Sequence, residues 1–466
     1  VIKAGFLLPH PPILFEAIGK GEEKKCQEVI DGMKAVAHKI RALKPKTIVI
    51  ISPHGPVFSD GMAISYDMFL EGNLKKFGYE AIQYHKKNNV NLVDRIIYES
   101  GKIDVPCLKL TDENANYFDI DKSIDHGALV PLKFIDQVYE DYDLVHLTYG
   151  LFSSEKLYEM GMTIRQSIEA LDEDAVIIAS GDLSHALLDG GPYQFHESGP
   201  AFDQVARDHL LHKDALGFMA IPEKMRNEAK ECGKRSIDIL LGTLNGYNYQ
   251  VTEYAYQAPF GVGYSVMGFE DLVYDDHYDV FADILQAAKA NVRQAILQES
   301  RFVSLARNAI LHYLNDTEII FDDRLTHEML NTRAGTFVSI KKNGALRGCM
   351  GTVGPTEDNM AMEIVANAIK AAFEDPRFPP LTIDDLEDIQ LSVDVIHMPE
   401  VVEDVSDLDP KKYGIIITSG YKRGVLLPDL ESIDTTDEQI RIACQKGDIR
   451  PTDPVVIQRF EVSRYY

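Results

Sequence analysis

The chain holds 466 residues, 73 of them acidic and 47 basic, for a formal net charge of −26. That charge argues against a general nucleic-acid-binding surface, and the length exceeds what one ordinary hydrophobic core organises. No apolar run reaches the length of a membrane span, no secretory leader pattern opens the sequence, and five scattered cysteines without a CxxC suit a reducing, cytoplasmic setting better than a disulfide framework.

In chain order, an apolar run at 6–8 predicts a strand that delivers His10 between prolines. Residues 22–43 predict a helix, ended by Lys44-Pro45. The β-branched run at 47–51 predicts a strand buried on both faces, stopped at Ser52-Pro53-His54 because proline cannot extend a central strand. Short strands or loops follow at 61–66 and 78–82, then a helix at 89–99. A turn at Asp125-His126 opens a short apolar helix. A strand at 144–147 and a helix at 153–171 lead into AVIIA at 175–179, which runs out in SGDLSH and delivers His185. A helix at 202–211 precedes Glu231-Cys232-Gly233 at the head of an apolar helix, 236–244, and a strand follows at 249–256. Strands interleaved with helices predict an α/β sheet domain over 1–272.

Open α/β sheets keep ligands outside the carboxyl ends of their strands, where His10 and His54 fall. Two imidazoles plus one anionic ligand suit Fe(II) with open positions, and a thiolate in the third place brings zinc in as an alternative. Glu231 or Cys232, near a helix N-terminus, supplies that third ligand. His185 and His126 remain beside it as groups able to move a proton. The competing reading is a set of hydrogen-bonded turn histidines and a small buried thiol.

A polar interruption at 275–279 places a linker at 273–289, with helix-like sequence from 282 to 295. The second domain, 290–466, opens on an amphipathic helix at 302–314. A strand at 335–340, an Asn343-Gly344 turn and a return strand at 346–352 predict a hairpin. A helix at 361–373, strands at 389–397 and 414–419, an extended piece at 424–428 and a helix at 437–445 complete an α+β domain. Within LRGCMGT, Arg347 is suited to an anion and could lower the pKa of Cys349. The competing reading is a buried cysteine in a tight strand.

The motifs LPHPPIL, ISPHGP, DHGALVPL and SGDLSH resemble, in order and spacing, those of class III extradiol dioxygenases and their Memo relatives, over nearly all of residues 1–270. The resemblance implies that His10 and His54 are metal histidines, His185 the acid/base histidine and His126 a second histidine lining the pocket. Ring-cleaving members use Glu as third ligand and the Memo branch Cys; ECGKR is closer to the Memo pattern, with Cys232 as ligand. From about residue 290, LARNAILHYL, GTFVSIKKNGALRGCMGT, AAFEDPRFPPL and YKRGVLLP resemble the AMMECR domain, whose motif positions here are Arg347, Cys349 and Arg377. The fusion resembles the AmmeMemoRadiSam system. It implies a radical SAM protein as partner, since this chain has no CxxxCxxC of its own.

Overall fold

The computed structural model describes residues 1–319, 321, 325–342, 344–430, 433, 435–450 and 453–466, the side chains of 80–82 apart. It divides into two compact units, 1–288 and 289–466. Val273 and Tyr274, placed in the linker by sequence, are the last residues of a strand, and the helix Phe281–Leu297 crosses the division. Asn343 of the expected hairpin turn lies outside the described residues.

The first unit contributes β1 (Ile2–Leu8), β2 (Thr47–Ser52), β3 (Met62–Ser65), β4 (Phe69–Leu74), β5 (Tyr79–Lys87), β6 (Cys107–Leu110), β7 (Asp143–Thr148), β8 (Ala175–Ser180), β9 (Tyr247–Gln257) and β10 (Tyr264–Tyr274). Eight of them form one sheet in the order β6-β3-β7-β2-β8-β1-β10-β9, and β4 pairs with β5 apart from it. The central β7, β2, β8 and β1 run parallel, each next to the other. Every residue of β2 and β8 is buried, as unbroken β-branched and apolar runs require when helices cover both faces. The helix Gln27–Leu43 buries Val29, Met33, Val36 and Ile40 in one stripe at helical spacing, part of the core beneath β1 and β10. On burial of Leu240 and Leu241, the helix Lys234–Thr243 packs its apolar side inward.

The second unit holds β11 (Thr336–Lys342), β12 (Ala345–Gly351), β13 (Ile389–Ile396), β14 (Glu400–Val401), β15 (Gly414–Ser419), β16 (Lys422–Leu426), β17 (Val456–Phe460) and β18 (Val462–Tyr465). They make two antiparallel sheets, β12-β11-β13-β18 and β14-β17-β15-β16. The helices Arg301–Leu314 and Met360–Phe373 share a core with the inner face of the first sheet, through Val338, Ile340 and Val393. This is the α+β arrangement expected of the second half. Among the described residues no helix is long and apolar enough to cross a membrane.

Candidate metal centre

Because β1, β2 and β8 are parallel neighbours, the turns that leave them share one rim. His10 follows β1 and is 2% exposed; His54 follows β2 and meets solvent at the mouth. Their Nε2 atoms are 2.8 Å apart. Cys232 comes to the same point from another direction. Gly181, just after β8, lies against Gly233 so closely that a Cβ on Gly181 would sit 2.3 Å from the Gly233 Cα. That approach sets the Cys232 Sγ 3.8 Å from His10 Nε2 and lets the Asp182 N–H donate to it at 3.3 Å. The three donor atoms all lie within 4.8 Å of one another.

The tautomer of His10 follows from its partners. Ser180 donates its hydroxyl to the Gly127 carbonyl, so its oxygen accepts the His10 Nδ1–H at 3.0 Å. His10 Nε2 is thereby a lone pair turned toward His54 and Cys232, as a metal-binding imidazole requires. Burial, and then the neighbouring imidazoles of His54, His126 and His185, push the His10 pKa well below the usual value. Desolvation and His126 bring His54 down to about 4. Burial and the nearby Asp182 push the Cys232 thiol well up. The set therefore stays neutral by itself, and a bound cation reverses that preference by favouring lone pairs and a thiolate. Two neutral imidazole donors and a thiol fit a divalent metal such as iron or zinc.

The other histidines frame this point. Asp125 accepts the Ala128 N–H and so caps the helix His126–Asp136, placing His126 at its first residue. The His126 ring stacks on His54 with centroids 4.3 Å apart and meets His10 at 5.6 Å and Phe77 at 4.9 Å. His185 is half-buried, its ring at right angles to that of Tyr193 with centroids 6.3 Å apart. Burial brings its pKa down to about 4. SGDLSH continues as an irregular turn, not into a helix.

Glu231, the alternative third ligand, is turned away from the pair. It binds Arg226 Nε at 2.9 Å and accepts the Lys234 N–H at 2.7 Å. Burial would raise its pKa, but Arg226 and the Lys234 N–H outweigh that and lower it. Asp182 and His146 complete the site. Asp182, 4% exposed, takes the His10 N–H at 3.1 Å, stands 3.7 Å from His10 Nε2, and is raised to about 7 by burial. His146 donates from Nε2 to Asp125 Oδ2 at 3.1 Å and accepts the Ser65 hydroxyl at Nδ1, 2.8 Å away. With Ser52 it holds Asp125 ionised far below the usual carboxylate range, although burial alone would raise it. The signal for His146 was a single polar residue inside the apolar run LVHL, and for Asp182 an acid at a strand end.

In the second unit Cys349, Arg347 and Arg377 gather around residues 375–380. Cys349 donates its N–H to Asp375 at 2.9 Å, Arg377 reaches the Cys349 carbonyl at 3.2 Å, and Arg347 reaches the Pro380 carbonyl at 3.4 Å. Burial raises the Cys349 thiol, with the Ser339 hydroxyl and the Arg377 charge opposing.

Comparison with known proteins divides the chain at the same place. Residues 4–267 match the family described as the catalytic LigB subunit of aromatic ring-opening dioxygenase, and residues 303–465 match AMMECR1. A protein of Clostridium acetobutylicum is 38% identical across 99% of this chain and 98% of its own length. A Thermotoga maritima protein is 47% identical over 36% of this chain and 99% of its own. A solved Escherichia coli K12 protein covers 57% of this chain and 99% of its own length at 16% identity and a TM-score of 0.40.

Proposed function

The chain belongs to the LigB family of aromatic ring-opening dioxygenase catalytic subunits, with an AMMECR1 domain behind it, and on that premise we propose that its first unit is a non-heme iron protein that oxidises or modifies a phenolic or related substrate. The observation that carries this reading is the convergence of His10 Nε2, His54 Nε2 and Cys232 Sγ within 4.8 Å of one another. These three residues hold the metal. Iron, when bound, supplies Lewis acidity and one-electron chemistry at positions left open by three protein ligands. His185, neutral down to about pH 4, takes a proton from a substrate hydroxyl and returns it to product. His126 and Phe77 offer ring faces against which an aromatic substrate orients. Asp182 fixes the His10 backbone by accepting its N–H.

The test is metal analysis and oxygen uptake on anaerobically purified protein. About one iron per chain and oxygen consumption with a catechol support the reading. Zinc at the same occupancy, with no oxygen consumed, overturns its redox part.

A second reading follows from Glu231. Its engagement with Arg226 leaves a thiol where ring-cleaving relatives use a carboxylate, which favours a non-catalytic metal-binding scaffold that pairs with a radical SAM protein in the cytoplasm. Iron binding without oxygen uptake, together with co-elution with that protein, decides for the scaffold.

A further inference from the structure

The head of the helix His126–Asp136 connects three of the imidazoles at the rim. The His10 Nδ1–H meets the Ser180 hydroxyl, which donates to the Gly127 carbonyl. Asp125 Oδ1 accepts the Ala128 N–H and the Ser52 hydroxyl, and the Ser52 oxygen in turn accepts the His54 N–H at 3.4 Å. His126 is the first residue of that helix, and its ring stacks on His54. The fit is close: a Cβ on Gly127 would lie 2.8 Å from Asp125 Oδ1 and closer still to Ser52 Oγ. Contacts this tight pass a shift of the helix end to His10, His54 and His126 together.

What anchors that helix end lies in the sheet. A cap needs one carboxylate oxygen, and Asp125 Oδ1 fills that role. The second oxygen, Oδ2, accepts the His146 Nε2–H at 3.1 Å, and His146 Nδ1 accepts the Ser65 hydroxyl at 2.8 Å. Ser65 ends β3, and His146 lies on β7, the strand beside it. On β7, His146 shares a face with Leu144, which packs in one core with Leu129 and Leu132 of the same helix. Ser65 and His146 are each 1% exposed, out of reach of a substrate. A buried His–Asp pair costs desolvation that apolar residues of the same size do not. In return, two engaged oxygens fix the plane of the carboxylate, and with it both the cap and Ser52.

We propose that His146 is a positioning residue for the metal centre: through Asp125 it fixes the helix end that carries His126 and against which His10 and His54 are held. The inference rests on the assignment of His10, His54 and Cys232 to a metal. His146 reaches these ligands only through Asp125 and Ser52. It acts by keeping three rings in one geometry before a ligand arrives, which lowers the reorganisation that binding costs. The competing role is that of a hydrogen-bonded core histidine, which affects stability alone.

The experiment uses the full-length protein, stripped of metal, with two readouts. Co(II) is titrated in and followed by the absorption of its bond to the Cys232 thiolate. Separately, the metal-free protein is treated with diethyl pyrocarbonate, and modification of His54 and His126 is followed by peptide mass spectrometry, with the exposed His277 as internal control. His146→Leu is expected to weaken Co(II) binding about tenfold, and to speed modification of His54 and His126 about tenfold relative to His277, as loss of a hydrogen bond to a charged group implies. His146→Gln, whose amide nitrogen replaces the Nε2–H, is expected to return both readouts to within about threefold of the unmodified chain. If His146→Leu does not fold, Ser65→Ala, which frees Nδ1, is expected to shift both readouts the same way by about threefold, and unchanged readouts there overturn the proposal. A lowered unfolding midpoint in His146→Leu with both readouts unchanged, or equal losses in His146→Leu and His146→Gln, also overturns it. Absence of the cobalt band in the unmodified chain overturns the metal reading instead, and the modification rates still decide whether His146 places the rings.

Discussion

Cys232 and Cys349 are each a half-buried thiol next to a carboxylate that accepts a main-chain N–H, yet their surroundings are opposite. Around Cys232, desolvation removes charge: His10, His54, His126 and His185 are lowered, and Asp182 is raised to about 7. Around Cys349, charge stays on: Arg377 holds Asp375 down at about 2, and Arg464 is tied to Asp394. Desolvated lone pairs collected at one point gain most from a cation, whereas guanidinium and carboxylate groups already paired hold each other ionised. Two cysteines of one chain thus sit in opposite electrostatic surroundings because their neighbours differ.

The largest effect that separates the two places is metal content. His54→Ala and Cys232→Ala are each expected to lose at least about nine-tenths of the bound iron, in line with loss of a first ligand. Glu231→Gln and Cys349→Ser are expected to keep it. Iron per chain, measured after anaerobic purification, checks all four. Iron lost in Glu231→Gln and kept in Cys232→Ala would reverse the ligand assignment. His185→Gln is expected to retain iron and to slow turnover about 10²- to 10⁴-fold, the range for a general acid or base. Loss of iron in that variant would instead make His185 a ligand.

The acid response differs in the same sense. As pH falls below 6.5 an unfolded imidazole takes up a proton, while folded His185 resists down to about 4. Its contribution to stability is therefore complete above 6.5 and is drained between 6.5 and 4, up to about 3 kcal/mol for a shift of this size. The metal-free first unit is expected to lose hydrogen-exchange protection across that window. Protection in the second unit should hold until pH falls below about 4, where the ionic partner of Arg377 begins to titrate. Simultaneous loss in both units would remove the electrostatic contrast.

Where the sequence was readable and where it was not follows from range. The rim was legible because TIVII and AVIIA are β-branched and apolar runs cut off by turns, and strand ends are local facts. The choice between Glu231 and Cys232 was not. Adjacent residues on a turn point in different directions, and the direction is set by the Gly181–Gly233 contact and by Arg226, both invisible to a local pattern. β10 was missed because Gly268 and the acids Glu270 and Asp271 interrupt its alternation, although the strand fills the place between β1 and β9.

The smallest effect tests how the second place keeps its charge. The Asp375 side chain is 2% exposed and receives the Cys349 N–H, the Arg377 N–H and two guanidinium hydrogens. Asp375→Asn keeps the shape and removes the charge. The Arg377 hydrogen bond is the main reason that Asp375 sits at about 2 instead of 3.8. A depressed carboxylate contributes stability that is present above 3.8 and lost as pH falls through about 2. Arg377 is 51% exposed, so solvent screens part of that contribution, and the variant is expected to lose about 1–2 kcal/mol at pH 7. The difference from the unmodified chain should shrink as pH falls through about 2, where the Asp375 carboxylate takes up its proton. Denaturant unfolding at the two pH values measures it. If the difference does not shrink as pH falls, the charge of Asp375 has no bearing on stability and the residue acts only as a strand-edge cap for the Cys349 N–H.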